Sequence, residues 1–274
     1  MDWLSHFVLL FPQGSVALAE RDLMLQAFLF MLIVAVPVFG LIFFFAWHYR
    51  AGNTKAKYTP DWAHSNLEEL IWWAIPLEII LVLGALTWTS THELDPRKPL
   101  DSARGEPPLV VEVVALDWKW LFIYPEQKIA TLNYVEFPAG RPVEFHITAD
   151  APMNSFWIPS LGGQIYAMTG MVTKLSLEAQ EPGHFDGRSA NYSGPGFASM
   201  QFVAQADTQQ KFDAWVASVK HNYPELSWPA YALLEKPATS TPASFGAIDQ
   251  NLFGTIVGKF MDSSQSGRMS DHEK

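Results

Sequence analysis

The sequence of 274 residues contains no cysteine. This absence excludes disulfide bonds, thiol catalysis, metal sites built on thiolates and lipid attachment through cysteine. Charged residues are scarce, at 17%, and the formal net charge of -10 gives a nucleic-acid partner no electrostatic support. The chain also lacks a phosphate-binding loop, a dinucleotide fingerprint and a Gly-x-Ser-x-Gly motif. It therefore shows no self-sufficient active site, although a Ser-His-Asp triad assembled from distant residues stays open.

Two apolar segments, residues 23–47 and 67–91, are long enough to cross a membrane. A helix of roughly 20 apolar residues spans the ~30 Å hydrocarbon core. Both segments carry tryptophan near an end, which is typical of membrane interfaces. Residues 1–22 form an N-terminal segment without the basic start of a signal peptide. The sequence predicts a two-helix transmembrane hairpin in a lipid bilayer.

The loop between these helices, residues 48–66, is basic. It carries Arg50, Lys55 and Lys57 against Asp61. Because short loops rich in Lys and Arg remain in the cytoplasm, both chain ends are expected on the opposite side. In a bacterium-like cell that side is the periplasm.

The second helix carries acidic residues in two places. Glu78 lies in its apolar middle, where a carboxylate costs roughly 3 kcal/mol unless it faces a partner, water or a cavity. We therefore expect Glu78 at an intramembrane interface of a larger assembly. Glu68 and Glu69 lie at the helix start, where the helix dipole favours negative charge. Glu69 and Glu78 project from opposite faces of the helix, so one cannot simply relay protons to the other.

The remainder of the chain differs from these apolar helices in composition and periodicity. Residues 92–108 form a linker rich in proline and charge. Short β-branched and aromatic runs over residues 109–206, some alternating apolar and polar side chains, predict a β-sandwich. Helical periodicity returns over residues 207–261, and residues 262–274 have the composition of a disordered tail.

One loop, residues 188–200, leads into the last predicted strand. It is rich in glycine and proline and has the outline of a ligand-bearing loop, but few of its side chains could hold a ligand. The histidines of the chain are scattered without metal-site spacing, so they predict surface or interface positions rather than ligands.

Several stretches resemble subunit II of the haem-copper terminal oxidases, and specifically the ubiquinol-oxidase branch of the cytochrome bo type. The resemblance extends from about residue 12 to residue 261 and is carried by residues 57–66 (KYTPDWAHSN), 116–126 (LDWKWLFIYPE), 153–159 (MNSFWIP) and 164–168 (QIYAM). It implies that the β-sandwich is a cupredoxin-like domain between the transmembrane hairpin and the C-terminal helices. Relatives in this branch usually begin with a lipoprotein signal ending in cysteine, so this chain as given is not expected to be acylated there.

In the cytochrome c oxidase branch, this domain holds a dinuclear copper centre. Its ligands are an early His, a Cys-x-Glu-x-Cys motif and a His-x-x-Met motif, because bridging thiolates suit copper. The resemblance implies that only Met200 is retained here. The lost ligand positions correspond to Asn154, Ser189, Asn191, Ser193 and Phe197. We therefore expect no metal, cofactor or catalytic residue in this chain and interpret Met200 as a core methionine.

The resemblance implies a non-redox subunit of a proton-translocating ubiquinol oxidase, which oxidises ubiquinol and reduces oxygen to water. Haem and copper are expected in subunit I, the main partner, beside further small membrane subunits. The complex would lie in the bacterial inner membrane with the soluble domain periplasmic. By position, Glu69 matches a glutamate near the proton entrance of subunit I, with Glu68 as a rival. The alternative is a stand-alone, membrane-anchored β-sandwich that acts as a binding or assembly module.

Overall fold

The structure, a computed structural model, describes residues 8–57, 59–100 and 105–269, with side chains up to Phe260. The chain forms two compact units, Met1–Glu20 with Asp95–Lys274, and Arg21–Leu94. Parts of the predicted N-terminal segment, linker and tail (residues 1–7, 101–104 and 270–274) lie outside the described residues.

Two long helices form the membrane part of the chain. Helix α1 is Ser15–His48 and helix α2 is Asn66–Glu93. By length and composition, both can cross a membrane. Each extends beyond its predicted span, because the polar residues at both ends continue the helical hydrogen bonding. Pro37 in α1 and Pro76 in α2 lie inside these helices without ending them.

The first sheet of the soluble domain has six strands. In chain order they are β1 (Leu109–Leu116), β2 (Lys119–Tyr124), β3 (Ile129–Leu132), β5 (Val143–Ala149), β8 (Thr173–Leu177) and β12 (Ala243–Phe245). Their order across the sheet is β12-β3-β2-β1-β5-β8. Strands β1 and β5 pair in parallel, and the other neighbours are antiparallel.

The second sheet has five strands and faces the first. It consists of β4 (Tyr134–Pro138), β6 (Asn154–Trp157), β7 (Ile165–Ala167), β9 (Gly183–Ser189) and β10 (Gln201–Asp207). The order is β4-β10-β9-β6-β7. Aromatic rings fill the space between the sheets, with Trp120, Phe122, Phe145, Phe156 and Phe202 in mutual contact. Two sheets over one apolar core confirm the predicted cupredoxin-like sandwich.

Three helices follow the sandwich. They are α3 (Gln209–Asn222), α4 (Trp228–Leu234) and α5 (Leu252–Met269), with the short strands β11 (Glu225–Leu226) and β13 (Ala247–Ile248) pairing between them. Helices α4 and α5 cover the outer face of the six-stranded sheet, whereas α3 packs against the core between the two sheets. A second apolar cluster joins outward side chains such as Val114 and Leu121 to Tyr231 and Ile256. Strand β2 is therefore buried on both faces, which explains its unbroken apolar run.

Two features differ from the sequence-based expectations. Helix α5 continues to Met269, so residues 262–269, expected in a disordered tail, are helical. The N-terminal segment joins the sandwich: Gly14 forms a β-bridge with Ala179, and the Gly163 N–H donates to Glu20 Oε1 at 3.0 Å. A Cβ on Gly14 would lie 2.6 Å from the Leu161 carbonyl oxygen, so this contact requires glycine.

Candidate functional site

The glycine- and proline-rich loop connects β9 to β10. The Ser189 N–H donates to the Met200 carbonyl at 3.1 Å and closes the base of the loop. One turn of 3-10 helix, Phe197–Ser199, leads back into β10. Gly194 has φ +113, a conformation that side chains disfavour. The loop is thus a defined structure, fixed at its base by a backbone hydrogen bond.

Asn154, the first residue of β6, brings three of the predicted positions together. Its Nδ2 donates to Ser193 Oγ at 3.0 Å and lies 3.1 Å from Met200 Sδ as a second hydrogen bond. Its Oδ1 accepts from the Ser155 N–H at 2.7 Å, which fixes the orientation of the amide. Asn154 and Met200 are each only 1% exposed. A buried amide network therefore occupies the centre of the site.

The other predicted positions do not join this network. Asn191 turns away and donates from Nδ2 to the Met153 carbonyl at 3.2 Å. The Phe197 ring packs edge-on against Tyr192, with centroids 5.7 Å apart. Ser189 is buried, and its Oγ has no hydrogen-bond partner among the described residues. An unpaired buried hydroxyl is unusual in a folded protein.

The donor set does not fit a dinuclear copper centre. Such a centre needs soft thiolate and imidazole ligands, whereas these positions offer an amide, hydroxyls and a phenyl ring. The remaining soft atom, Met200 Sδ, faces an N–H donor of Asn154 at 3.1 Å. The site can hold its own polar atoms in place, but its residues could not assemble the copper pair that the fold family binds.

Trp118 is a site residue that the sequence analysis did not single out. It lies in the two-residue turn between β1 and β2 with φ +62. Its Nε1–H donates to the Ser193 carbonyl at 3.1 Å, and its ring packs against the loop. A Cβ on Gly196 would lie 2.2 Å from that ring. The Gly194-Pro195-Gly196 sequence could have indicated this contact, because glycine allows another group to pack closely against the backbone.

Glu69 and Glu78 of helix α2 both lie exposed on the isolated chain. Ser65 caps the helix, and its Oγ accepts from the Glu68 N–H at 3.4 Å. The Glu69 N–H donates to the Ser65 carbonyl at 2.9 Å. Within residues 8–57, 59–100 and 105–269, no hydrogen bond or ion pair involves the Glu69 or Glu78 carboxylate. Both carboxylates are therefore available to groups outside this chain.

A second polar cluster lies on the outer face of the sandwich. Glu144 accepts from Lys174 Nζ and pairs with His146 Nε2, both at 2.7 Å. The hydrogen bond from Lys174 lowers the pKa of the Glu144 carboxyl, with His146 adding to the effect. Across the described part of the chain, no group of three or more His, Asp or Glu side chains could hold a metal ion.

Comparison with known families identifies two regions of the chain. Residues 125–207 match the family "Cytochrome C oxidase subunit II, periplasmic domain". Residues 220–264, which include α4 and most of α5, match the "COX Aromatic Rich Motif". Among solved structures, the periplasmic domain of subunit II of cytochrome oxidase from Bradyrhizobium japonicum aligns with a TM-score of 0.41 and 19% identity, covering 42% of this chain and 96% of that one.

Curated relatives match nearly the whole sequence. Cytochrome bo(3) ubiquinol oxidase subunit 2 of Pseudomonas putida is 51% identical over 98% of this chain and 85% of the relative. The protein of the same name from Pseudomonas aeruginosa is 52% identical over 91% and 75%, respectively. Ubiquinol oxidase subunit 2 of Acetobacter aceti is 47% identical over 91% and 81%. The chain therefore belongs to the family of subunit 2 of the cytochrome bo(3)-type ubiquinol oxidases.

Proposed function

We propose that this chain is subunit II of a proton-translocating ubiquinol oxidase, which couples ubiquinol oxidation to the reduction of oxygen to water, and that it carries no electrons itself. The observation that supports this is the amide of Asn154, which donates towards Ser193 Oγ and Met200 Sδ where the fold family places copper ligands. Relatives named ubiquinol oxidase subunit 2 support the same assignment.

On this proposal, electrons pass from ubiquinol to the haem and copper of subunit I without entering this chain. The contribution of the chain is structural: it stabilises the complex and covers subunit I on the periplasmic side. Neutral, hydrogen-bonded side chains in a buried site favour a rigid structure over redox chemistry. No residue of this chain acts as a catalytic residue in this proposal.

The membrane helices support a role within an assembly. Large apolar side chains on both helices are exposed, including Phe43 at 72% and Trp73 at 71%. Lipid and the helices of subunit I would cover these surfaces. The basic loop between α1 and α2 favours a cytoplasmic position, which places the sandwich and both termini in the periplasm of an inner membrane.

The decisive experiment purifies the complex through an affinity tag on this chain. We expect haem absorption in the purified sample and oxygen consumption driven by ubiquinol but not by reduced cytochrome c. Recovery of the chain without haem would favour the stand-alone binding module. Oxygen consumption driven by cytochrome c, or copper bound by this subunit, would contradict the proposal.

We also propose that Glu69 assists proton uptake from the cytoplasm. It lies in the first turn of α2 and has no side-chain partner among the described residues. Glu69→Ala should lower quinol-driven turnover of the assembled complex several-fold, and Glu69→Asp should recover part of it. Glu68→Ala removes a neighbouring charge from the same turn and tests the rival assignment; it should lower turnover less than Glu69→Ala does. Unchanged turnover in Glu69→Ala would refute this role.

We propose for Glu78 a contact with a neighbouring subunit inside the membrane. A carboxylate in the bilayer costs roughly 3 kcal/mol without a polar partner, and none of the described residues supplies one. Glu78→Leu should therefore reduce the yield of assembled complex, whereas Glu78→Gln should retain much of it. Normal assembly and activity of Glu78→Leu would count against the contact.

A further inference from the structure

A cavity of about 490 Å³ lies on the outer face of the six-stranded sheet, away from the loop that connects β9 and β10. Its floor consists of Glu112 of β1 and Ile123 of β2, which are direct neighbours in the sheet. Ile248, the last residue of β13, and Phe253, in the first turn of α5, also line the cavity. This volume is within the range of small-molecule sites. Half of the lining residues are apolar, and the other half are polar or charged: Glu112, Lys128, Asp249, Gln250 and Asn251.

Glu112 is the polar group on the floor of this cavity. It is half-buried, and no hydrogen bond or ion pair involves its carboxylate within the described ranges. Burial raises the pKa of Glu112 to about 7 because the ionised form loses hydration without gaining a partner. A half-buried carboxylate of this kind gains stability from any cation that can reach it.

The wall of the cavity opposite the sheet is a formed structure. The Asp249 N–H donates to the Leu226 carbonyl at 3.3 Å, and Asn251 adopts φ +57 immediately before helix α5. The Thr255 N–H then donates to the Asn251 carbonyl at 3.0 Å. The cavity therefore lies between a sheet and a fixed loop.

Three other charged or titratable groups surround Glu112. Lys128 and Asp249 line the cavity, and His146 is the neighbour of Glu112 on β5. His146 is already held by Glu144 at 2.7 Å, and Lys128 forms no ion pair with Glu112 among the contacts of the described residues. The two carboxylates against the single Lys128 leave the lining acidic.

We propose that this cavity is a binding site for a small organic cation, a primary ammonium with a short apolar chain, whose charged end pairs with Glu112. Three features select this class of ligand. The carboxylate needs a donor that carries positive charge, the side chains of Ile123, Ile248 and Phe253 accept an apolar chain, and a volume of about 490 Å³ accommodates a small molecule. The site is independent of the oxidase assignment, because it uses no residue of the loop or of the membrane helices.

The test measures binding of n-butylammonium to the full-length chain in detergent by saturation-transfer NMR at constant ionic strength. We expect saturable binding at about pH 8 and roughly tenfold weaker binding at about pH 6, because the ionised fraction of Glu112 falls by that factor across its pKa. The uncharged analogue n-butanol should bind at least roughly tenfold more weakly than the ammonium at the higher pH.

Variants decide which group is responsible. Glu112→Gln keeps the shape of the side chain and should weaken binding roughly tenfold while removing the pH dependence. Asp186→Asn removes one negative charge outside this cavity and should leave binding unchanged. The proposal is overturned if Glu112→Gln binds as the unmodified chain does, if it retains the pH dependence, or if no saturable binding occurs at about pH 8.

Discussion

Replacing Asn154 tests whether the β9–β10 loop is a structural element. Asn154→Ala removes the donor to Ser193 Oγ and Met200 Sδ and the acceptor for the Ser155 N–H. A hydrogen bond contributes ~0.5–1.5 kcal/mol net, and bonds to sulfur are at the weak end. We therefore expect a loss of about 2 kcal/mol in the free energy of unfolding. For a domain of this size that corresponds to a fall in Tm of roughly 4–8 °C.

The measurement is thermal unfolding of the full-length chain, followed by tryptophan fluorescence, together with quinol-driven oxygen consumption of the assembled complex. Turnover per assembled complex should not change, because the proposed electron route avoids this loop. Ser199→Ala is the control, since Ser199 is exposed on the same loop. A drop in turnover with assembly intact would refute the proposal that this chain carries no electrons. An unchanged Tm would refute the structural role of Asn154.

Asn154→Asp keeps the shape of the side chain and adds a charge to a buried position. Burial would raise the pKa of the new carboxyl group above its ordinary value. Stability should then be highest at acidic pH, where the group is protonated, and should fall as pH rises through the raised pKa. Equal stability of Asn154→Asp and the unmodified chain at neutral pH would contradict the burial of this site.

Three further outcomes follow from polar groups elsewhere in the soluble domain. Lys119, 1% exposed, donates to the Lys236 carbonyl at 2.8 Å, so Lys119→Met should destabilise the chain by roughly 1–2 kcal/mol and speed hydrogen exchange near Lys236. Asp150→Asn weakens the 3.0 Å ion pair with Lys259 of α5 and should lower the free energy of unfolding by roughly 2 kcal/mol in chemical denaturation. An unchanged free energy of unfolding would mean that apolar contacts alone hold α5 on the sandwich. Because the pKa of Glu112 is raised to about 7, its protonated carboxyl contributes stability that is fully present near pH 4 and is lost as pH rises through 7. Glu112→Gln should remove this part of the pH dependence of the free energy of unfolding in urea titrations.

Elements with strong local signals were predicted well. The amphipathic stripe of Phe212, Trp215, Val216 and Val219 lies on α3, within the region of predicted helical periodicity. In the structure Trp215 is half-buried, and the other three side chains are buried. Thr208 caps this helix, accepting from the Lys211 N–H at 3.4 Å. Both membrane helices followed from length and hydropathy alone. Such features depend on residues close in sequence, and their periodicity is therefore visible without a structure.

Contacts between distant residues were not predictable in the same way. The bridge between Gly14 and Ala179 joins positions far apart in sequence, and a short polar turn carries no mark of its partner. The sequence also did not show which elements cover the outer face of β1. Val114 and Leu116 extend the apolar run because α4 and α5 cover that face, and the run alone does not tell which elements will do so.

The structure brings together some of the positions that the resemblance selected and separates others. The resemblance to a ligand motif identified Asn154, Ser193 and Met200, and the structure brings these three together. It also selected Asn191 and Phe197, whose side chains point to other partners. A motif gives positions in the chain, whereas the direction of a side chain follows from its rotamer and neighbours once the ligand chemistry has changed.

The loop retains a defined shape because its packing does not depend on a metal. Trp118 fills the space under Gly196 and holds the Ser193 carbonyl, while the Ser189–Met200 backbone hydrogen bond closes the base. Asn154 then satisfies the polar atoms at the centre. An unsatisfied buried polar group costs roughly 1–3 kcal/mol. Without the Asn154 amide, a loop that lacks copper ligands would therefore be less stable. The buried hydroxyl of Ser189, in contrast, has no hydrogen-bond partner among the described residues. Ser189→Ala should therefore be neutral or slightly stabilising, the opposite of Asn154→Ala in the same loop.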